Sequence, residues 1–207
     1  MGLSAMASSF YTQRLEDPGA VYVSPSGGDD TTTLQQAINR VQETTRQGIV
    51  LLAPGKYQVT DTLYIWPSIR LIGYGTNRPV IILPANTQGF ADATQEKVMF
   101  FFAGRRPRTD KDPVPDANPG TFYSALANFD VEVGEGNVGA VVVRARYAQH
   151  CFLAHMDIHL GPALAGVHEG GNVVEDVRFF GGTHAIWTSK PSPGWQFTLI
   201  EDRKSVV

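Results

Sequence analysis

The sequence predicts an all-β chain built as a parallel β-helix with one α-helix near its start, and three observations predict it. Only one segment carries a sustained helical period. Short β-rich runs recur between turn signals along most of the remaining length. In the second half a motif returns at intervals of one coil, which is the pattern of a solenoid. Composition agrees with a packed chain. Hydrophobic residues make up 43% of the 207 and charged residues 18%, below the roughly 25% usual for globular domains, which excludes a disordered chain or a coiled coil. With 17 Lys+Arg against 20 Asp+Glu, the net charge of -3 argues against nucleic acid or an anionic membrane as the main partner. No apolar run approaches the roughly 18 residues that span a bilayer.

Taken in order, residues 1–19 read as an N-terminal extension. Met1 to Ser9 are small and polar, with neither the basic nor the apolar region of a signal peptide. The helix follows Asp29-Asp30-Thr31. Leu34, Ala37, Ile38 and Val41 fall on one face over about four turns, Asp and Thr supply acceptors for the first turn, and Gly48 is the expected stop. Then come the β runs Ile49–Leu52, Tyr57–Val59, Leu63–Ile65, Ile69–Leu71 and Val80–Leu83, punctuated by Pro54-Gly55 and Gly73-Tyr74-Gly75. Arg105 to Gly120, rich in proline and charge, reads as a long loop within one β pattern.

The repeat begins after that loop. Leu126–Val133 lines up with Leu153–Leu160, 27 residues on; Val174–Gly181 follows after another 21, and Leu199-Ile200-Glu201 after 25 more. Each unit holds β runs and no helix, as in one coil of a β-helix whose inward residues stack on the next coil. The domain is therefore expected over residues 20–201. Asp202 to Val207 reads as a non-native tail, the translation of a sequencing adapter, so the stack is expected to be truncated at its C-terminal end. The lone cysteine, Cys151, excludes an internal disulfide and lies in a core-like segment.

Three stretches carry a family resemblance: Asp29-Asp30-Thr31-Thr32-Thr33-Leu34-Gln35-Gln36-Ala37-Ile38, Ile49-Val50-Leu51-Leu52-Ala53-Pro54-Gly55-Lys56-Tyr57, and Leu63 through Gly75. They resemble the opening of the pectate-lyase-like superfamily, in particular rhamnogalacturonase or epimerase-like pectate lyase domains and proteins related to glycoside hydrolase families 28 and 55. The resemblance implies that the β-helix is right-handed and single-stranded, that the helix caps its N-terminal end, and that Pro54-Gly55-Lys56-Tyr57 starts the first full coil. It implies a polysaccharide-degrading enzyme, a glycoside hydrolase or polysaccharide lyase acting on a pectin-like or β-glucan substrate. The competing class is a non-catalytic glycan-binding or tailspike-like module, since the superfamily hosts both. A secreted or cell-surface location is implied in the same way. No cofactor is required, although a lyase would use Ca2+. The family 28 signatures are missing, and the one Asp-Asp, Asp29-Asp30, precedes the helix, so no catalytic residue transfers by motif.

Candidate residues come instead from the outward face. With Phe129, Val131 and Val133 inward, strand alternation turns Asn128, Asp130 and Glu132 outward. The repeat offsets then stack Asn128 over His155 over Asp176, Asp130 over Asp157 over Arg178, and Glu132 over His159 over Phe180. Adjacent strands lie about 4.8 Å apart. Asp130 and Asp157 at that separation are candidates for an acid/base pair or for two ligands of a hard cation such as calcium. Arg178, His155 and His159 are candidate catalytic partners, Arg178 or a histidine being the base in a β-elimination. Glu132, Asp176, Trp187 and Trp195 are candidate substrate contacts, with Trp66 and Tyr147 as further aromatic surfaces. A β-helix exterior is polar in any case, and stacked Asp, Asn, His and Arg satisfy that without chemistry. His155 and His159, four apart in a strand, stand about 13 Å apart, too far for one metal. Gly134-Glu135-Gly136-Asn137-Val138-Gly139 matches a dinucleotide fingerprint but leads into a β run rather than a helix.

Overall fold

Hydrogen bonds between parallel strands organise the chain into two sheets. The computed structural model describes residues 19–109, 111–188, 197–201 and 203–205. Within them one helix, α1 (Thr31–Thr45), accompanies sixteen strands. In chain order these are β1 (Ala20–Val23), β2 (Gly48–Leu52), β3 (Lys56–Gln58), β4 (Leu63–Ile65), β5 (Ile69–Gly73), β6 (Val80–Leu83), β7 (Lys97–Phe102) and β8 (Ala125–Ala127). They continue with β9 (Asp130–Val133), β10 (Ala140–Arg144), β11 (Phe152–Gly161), β12 (Ala165–His168), β13 (Val173–Gly181), β14 (His184–Trp187), β15 (Thr198–Ile200) and β16 (Arg203–Ser205). One sheet runs β1-β2-β5-β8-β11-β9-β6-β3, with β13 beside β11 and β15 and β16 beside β13; the other runs β14-β12-β10-β7-β4.

Register explains why the apolar residues recur as they do. Val50, Leu71, Leu126, Leu153 and Val174 are successive partners across one sheet and all are buried. Ile81, Val131, Ile158 and Phe179 form a second buried ladder. Across the other sheet Leu63, Phe100, Val143 and Val167 form a third. Phe100 meets Phe129 at 5.7 Å between ring centroids, so ladders of the two sheets close on one core. Parallel strands buried on one face are expected to stack like residues in this way.

Helix α1 buries Leu34, Ala37, Ile38 and Val41 and packs on β1, β2, β4 and β5. Its ends differ from expectation. Asp30 occupies the N-cap without a side-chain cap bond, while Asp29 Oδ1 accepts the Thr31 N–H at 2.9 Å. The Asp30 carboxylate is turned instead to the Ser26 and Gln58 N–H groups. At the other end Arg46, at φ 61°, ends the helix, and its N–H reaches Gln42 O. Gly48 opens β2, where a side chain would collide with the Gly19 carbonyl. The long loop is pinned to the second sheet by an Ala103–Asp116 bridge and by the Gly104 N–H on Pro115 O. Arg203–Ser205, within the expected non-native tail, pair in parallel with Arg178–Phe180. The exposed edge of β13 supplies backbone groups that do not discriminate by side chain.

Candidate functional site

The offsets read from the sequence are the registers of the sheet. Asp157 pairs with Arg178 and His159 with Phe180 across 21 residues, and His159 pairs with Glu132 across 27. Asp130, Asp157 and Arg178 therefore come together on the outer face of β9, β11 and β13. Burial alternates as strand geometry requires, with Phe129, Val131, Met156, Ile158, Val177 and Phe179 inward.

Two arginines fix the carboxylates. Arg178 Nε donates to Asp157 Oδ1 at 2.6 Å and its Nη2 to Oδ2 at 2.5 Å, a bidentate clamp. Arg78 Nη2 lies 2.9 Å from Asp157 Oδ2 and 3.1 Å from Asp130 Oδ1. Sharing one nitrogen holds those two oxygens within about 6 Å of each other. The Asp157 N–H donates to Asp130 Oδ1 at 2.8 Å. Like charges on adjacent strands are thus compensated by guanidinium groups. Arg78 was not visible to the column argument, because it stands in the turn before β6, two residues short of Val80, the register partner of Asp130. Carrying the outward face one strand further back would have brought Asn77-Arg78-Pro79 into view.

Asp130 is partly withdrawn from water. Burial pushes the Asp130 carboxyl above the usual aspartate value, outweighing the Asp157 N–H and the Arg78 charge, with the Asp157 charge pushing the same way. Hydrogen bonding to Asp157 raises Arg178, which keeps it protonated and suits it to positioning rather than to proton abstraction. A calcium ion would need six or more oxygens. Asp157 Oδ1 and Oδ2 are both engaged by arginines, so Asp130 and Asp157 supply too few open oxygens to fit such a cation.

The flanking columns are less tightly tied. His155 Nδ1 lies 3.1 Å from Asp176 Oδ2, and that hydrogen bond holds the Asp176 carboxyl below its ordinary value. Asn128, His155 and Asp176 all have left-handed backbone, at φ 58°, 54° and 47°, so the column marks a bend that falls between β8 and β9 and within β11 and β13. A Cβ at Gly73, the preceding position of that column, would collide with the Asn128 carbonyl. His159 stacks on Phe180 at 4.5 Å, beside Glu132. Trp187 is exposed but belongs to β14 of the other sheet, where it stacks on His168 at 4.4 Å, so it is not on the Asp130 face. Trp195 lies outside the described residues. Tyr147 is fully buried against Phe102, and Trp66 is buried with its indole N–H on Asn39 Oδ1, so neither stands on the Asp130 face. The Gly134–Gly139 turn leads into β10, and Asn137 within it is buried, bonding Thr87 and Pro84.

Residues 25–201 match the family described as rhamnogalacturonase A/epimerase, pectate lyase-like. Two solved structures are similar. ORF18 of Geobacillus virus E2 superposes with a TM-score of 0.47 at 17% identity over 90% of this chain, which spans only 36% of that protein. A Parabacteroides merdae protein described provisionally as a glycosyl hydrolase superposes with a TM-score of 0.45 at 9% identity, over 89% of this chain and 95% of that one. No curated protein matches the chain.

Proposed function

Because this chain belongs to the rhamnogalacturonase A/epimerase, pectate lyase-like family, we propose that it is a carbohydrate-active right-handed parallel β-helix, capped by α1, that hydrolyses a polysaccharide on the outer face of β9, β11 and β13. The observation that carries the reading is the pair Asp130 and Asp157 held by one Arg78 nitrogen. Glycosidic hydrolysis needs one carboxyl that keeps a proton and one that stays charged. Asp130, raised by burial, donates to the departing glycosidic oxygen. Asp157, gripped by Arg178 and Arg78, faces the positive charge that develops on the sugar ring, and a water molecule then bonds to the ring carbon, giving its proton to Asp130 and restoring the acid. His159 on its Phe180 platform and Glu132 flank the pair, and His155 with Asp176 lies on the other side. Hydrolysis fits better than β-elimination because Arg178 is engaged as a cation. The reading needs no cofactor, and a polymeric glycan substrate places the protein outside the cell, secreted or on its surface.

One observation favours a second reading. Both Asp157 oxygens are occupied, and such a ladder also serves a non-catalytic glycan-binding module. Incubation with polygalacturonate, rhamnogalacturonan and β-1,3-glucan separates the two. New reducing ends without the ultraviolet absorbance of an unsaturated uronate support hydrolysis. That absorbance would mean elimination, binding without product supports the binding module, and no binding to any glycan overturns both.

A further inference from the structure

A second concave site lies on the other sheet, away from Asp130 and Asp157. Thr62, Tyr64, Val98, Phe101, Val114 and a charged floor of Glu96, Lys97, Asp116 and Arg144 line an open cavity of about 500 Å³. That volume is in the range of small-ligand sites. Tyr64 and Phe101 meet edge to face at 5.7 Å and give it aromatic walls. Tyr64 and Val114 also line a neighbouring cavity of about 500 Å³ bounded by Gln35, Asn39 and Trp66, so the Tyr64 ring borders both. The loop before β8 forms one side, fastened by Arg144 to Asp116 at 2.7 Å.

The charges in the first cavity are already matched. Arg144 is paired with Asp116 and with Glu96, His168 Nδ1 lies 2.8 Å from Glu96 Oε2, and Lys97 is paired with Asp61 at 2.9 Å. A carboxylated sugar would therefore meet two carboxylates and no unpaired cation, which disfavours it. Hydroxyl groups, in contrast, find carboxylate acceptors in Glu96 and Asp116 and a guanidinium donor in Arg144. We propose that this cavity is a binding subsite for an uncharged sugar residue of a glycan, separate from the Asp130–Asp157 face. The choice of sugar chemistry rests on the glycan-directed reading above; the exclusion of uronates rests on the ion pairs alone.

The test is calorimetric titration of the whole chain with neutral hexasaccharides of β-1,3-glucan, β-1,4-glucan, β-1,4-mannan and β-1,4-xylan, and with hexagalacturonate. At least one neutral oligosaccharide is expected to bind and hexagalacturonate to bind at least tenfold more weakly. Glu96→Gln and Tyr64→Phe, which keep shape, are each expected to weaken that binding about tenfold. Hydrogen exchange adds a readout independent of the variants, with protection by the bound sugar expected at Val98–Phe101 and residues 113–116. Protection of Val98–Phe101 and residues 113–116 by hexagalacturonate, no binding of any neutral sugar, or protection confined to β9, β11 and β13 overturns the proposal. Loss of turnover in Asp157→Asn bears only on the hydrolytic reading and leaves this one standing.

Discussion

Arg178 closes on both carboxylate oxygens of Asp157, its register partner 21 residues earlier, and in doing so fixes that carboxylate on the sheet surface. A guanidinium forms two parallel bonds where an ammonium forms one directional contact. Arg178→Lys therefore keeps the charge and loses the geometry. The expected outcome is a turnover reduced about tenfold with the melting temperature little changed, whereas Asp157→Asn lowers turnover by about a hundredfold or more. Steady-state assay of reducing ends on the preferred polysaccharide, with thermal melts of each variant, checks both.

Asp130 offers a sharper separation of chemistry from stability. Burial is the main cause of its raised pKa, so the charged form costs the folded state free energy at neutral pH. Asp130→Asn keeps an Oδ1 acceptor for the Asp157 N–H and removes that cost. Its melting temperature at pH 7 is expected to equal or exceed that of the parent while turnover falls about a hundredfold or more. A large loss of both together would mean that Asp130 serves only the fold.

Much of this face was legible because side-chain alternation and parallel register are both periodic. The 27- and 21-residue offsets placed Asp130, Asp157 and Arg178 together, and the apolar positions between them are the buried ladder Val131, Ile158 and Phe179. Arg78 escaped because it reaches the face from a turn, which has no period. Trp187 lies off the face; the aligned motif tracks one strand of each repeat and says nothing of the strand that follows, and β14 pairs with β12 in the other sheet. The cavity beneath Tyr64 was invisible for a related reason. Glu96, Asp116, Arg144 and His168 come from two strands, a turn and a loop, and only packing brings them together.

The bend column makes its own demand on sequence. His155 sits at φ 54° in the middle of β11, a conformation that asparagine and glycine adopt with little strain and β-branched residues resist. His155→Asn is expected to keep the parent stability. His155→Val is expected to lose about 1–2 kcal/mol. Urea unfolding of the two variants checks the difference, and equal midpoints would mean that the backbone there relaxes.

Cys151 tests the packing behind that bend. Its side chain is buried, its Sγ lies within hydrogen-bonding reach of Thr121 O, and burial pushes the thiol up to about 11. A thiol reagent at pH 8 is expected to leave it unmodified in the native protein and to label it stoichiometrically in urea, as read by mass spectrometry. Fast native labelling would show that the region opens readily.

The pH dependence of stability combines opposed contributions. Asp176 is lowered by its hydrogen bond with His155, and Asp29, despite partial burial, is lowered by bonds from Thr31 and Thr60. Such groups add stability that is present above the unfolded aspartate value of about 3.9 and lost as pH falls through their lower folded values. Asp130 acts in reverse. Its protonated form is favoured by folding, so its contribution is present below about 3.9 and lost as pH rises through its raised value. Asp130→Asn should therefore flatten the decline in stability on the rising side and leave the acid limb, while Asp176→Asn should reduce the acid limb alone. Melting temperatures of parent and variants between pH 2 and pH 7 measure each slope. A flattened acid limb in Asp130→Asn would reverse the sign assigned to its burial.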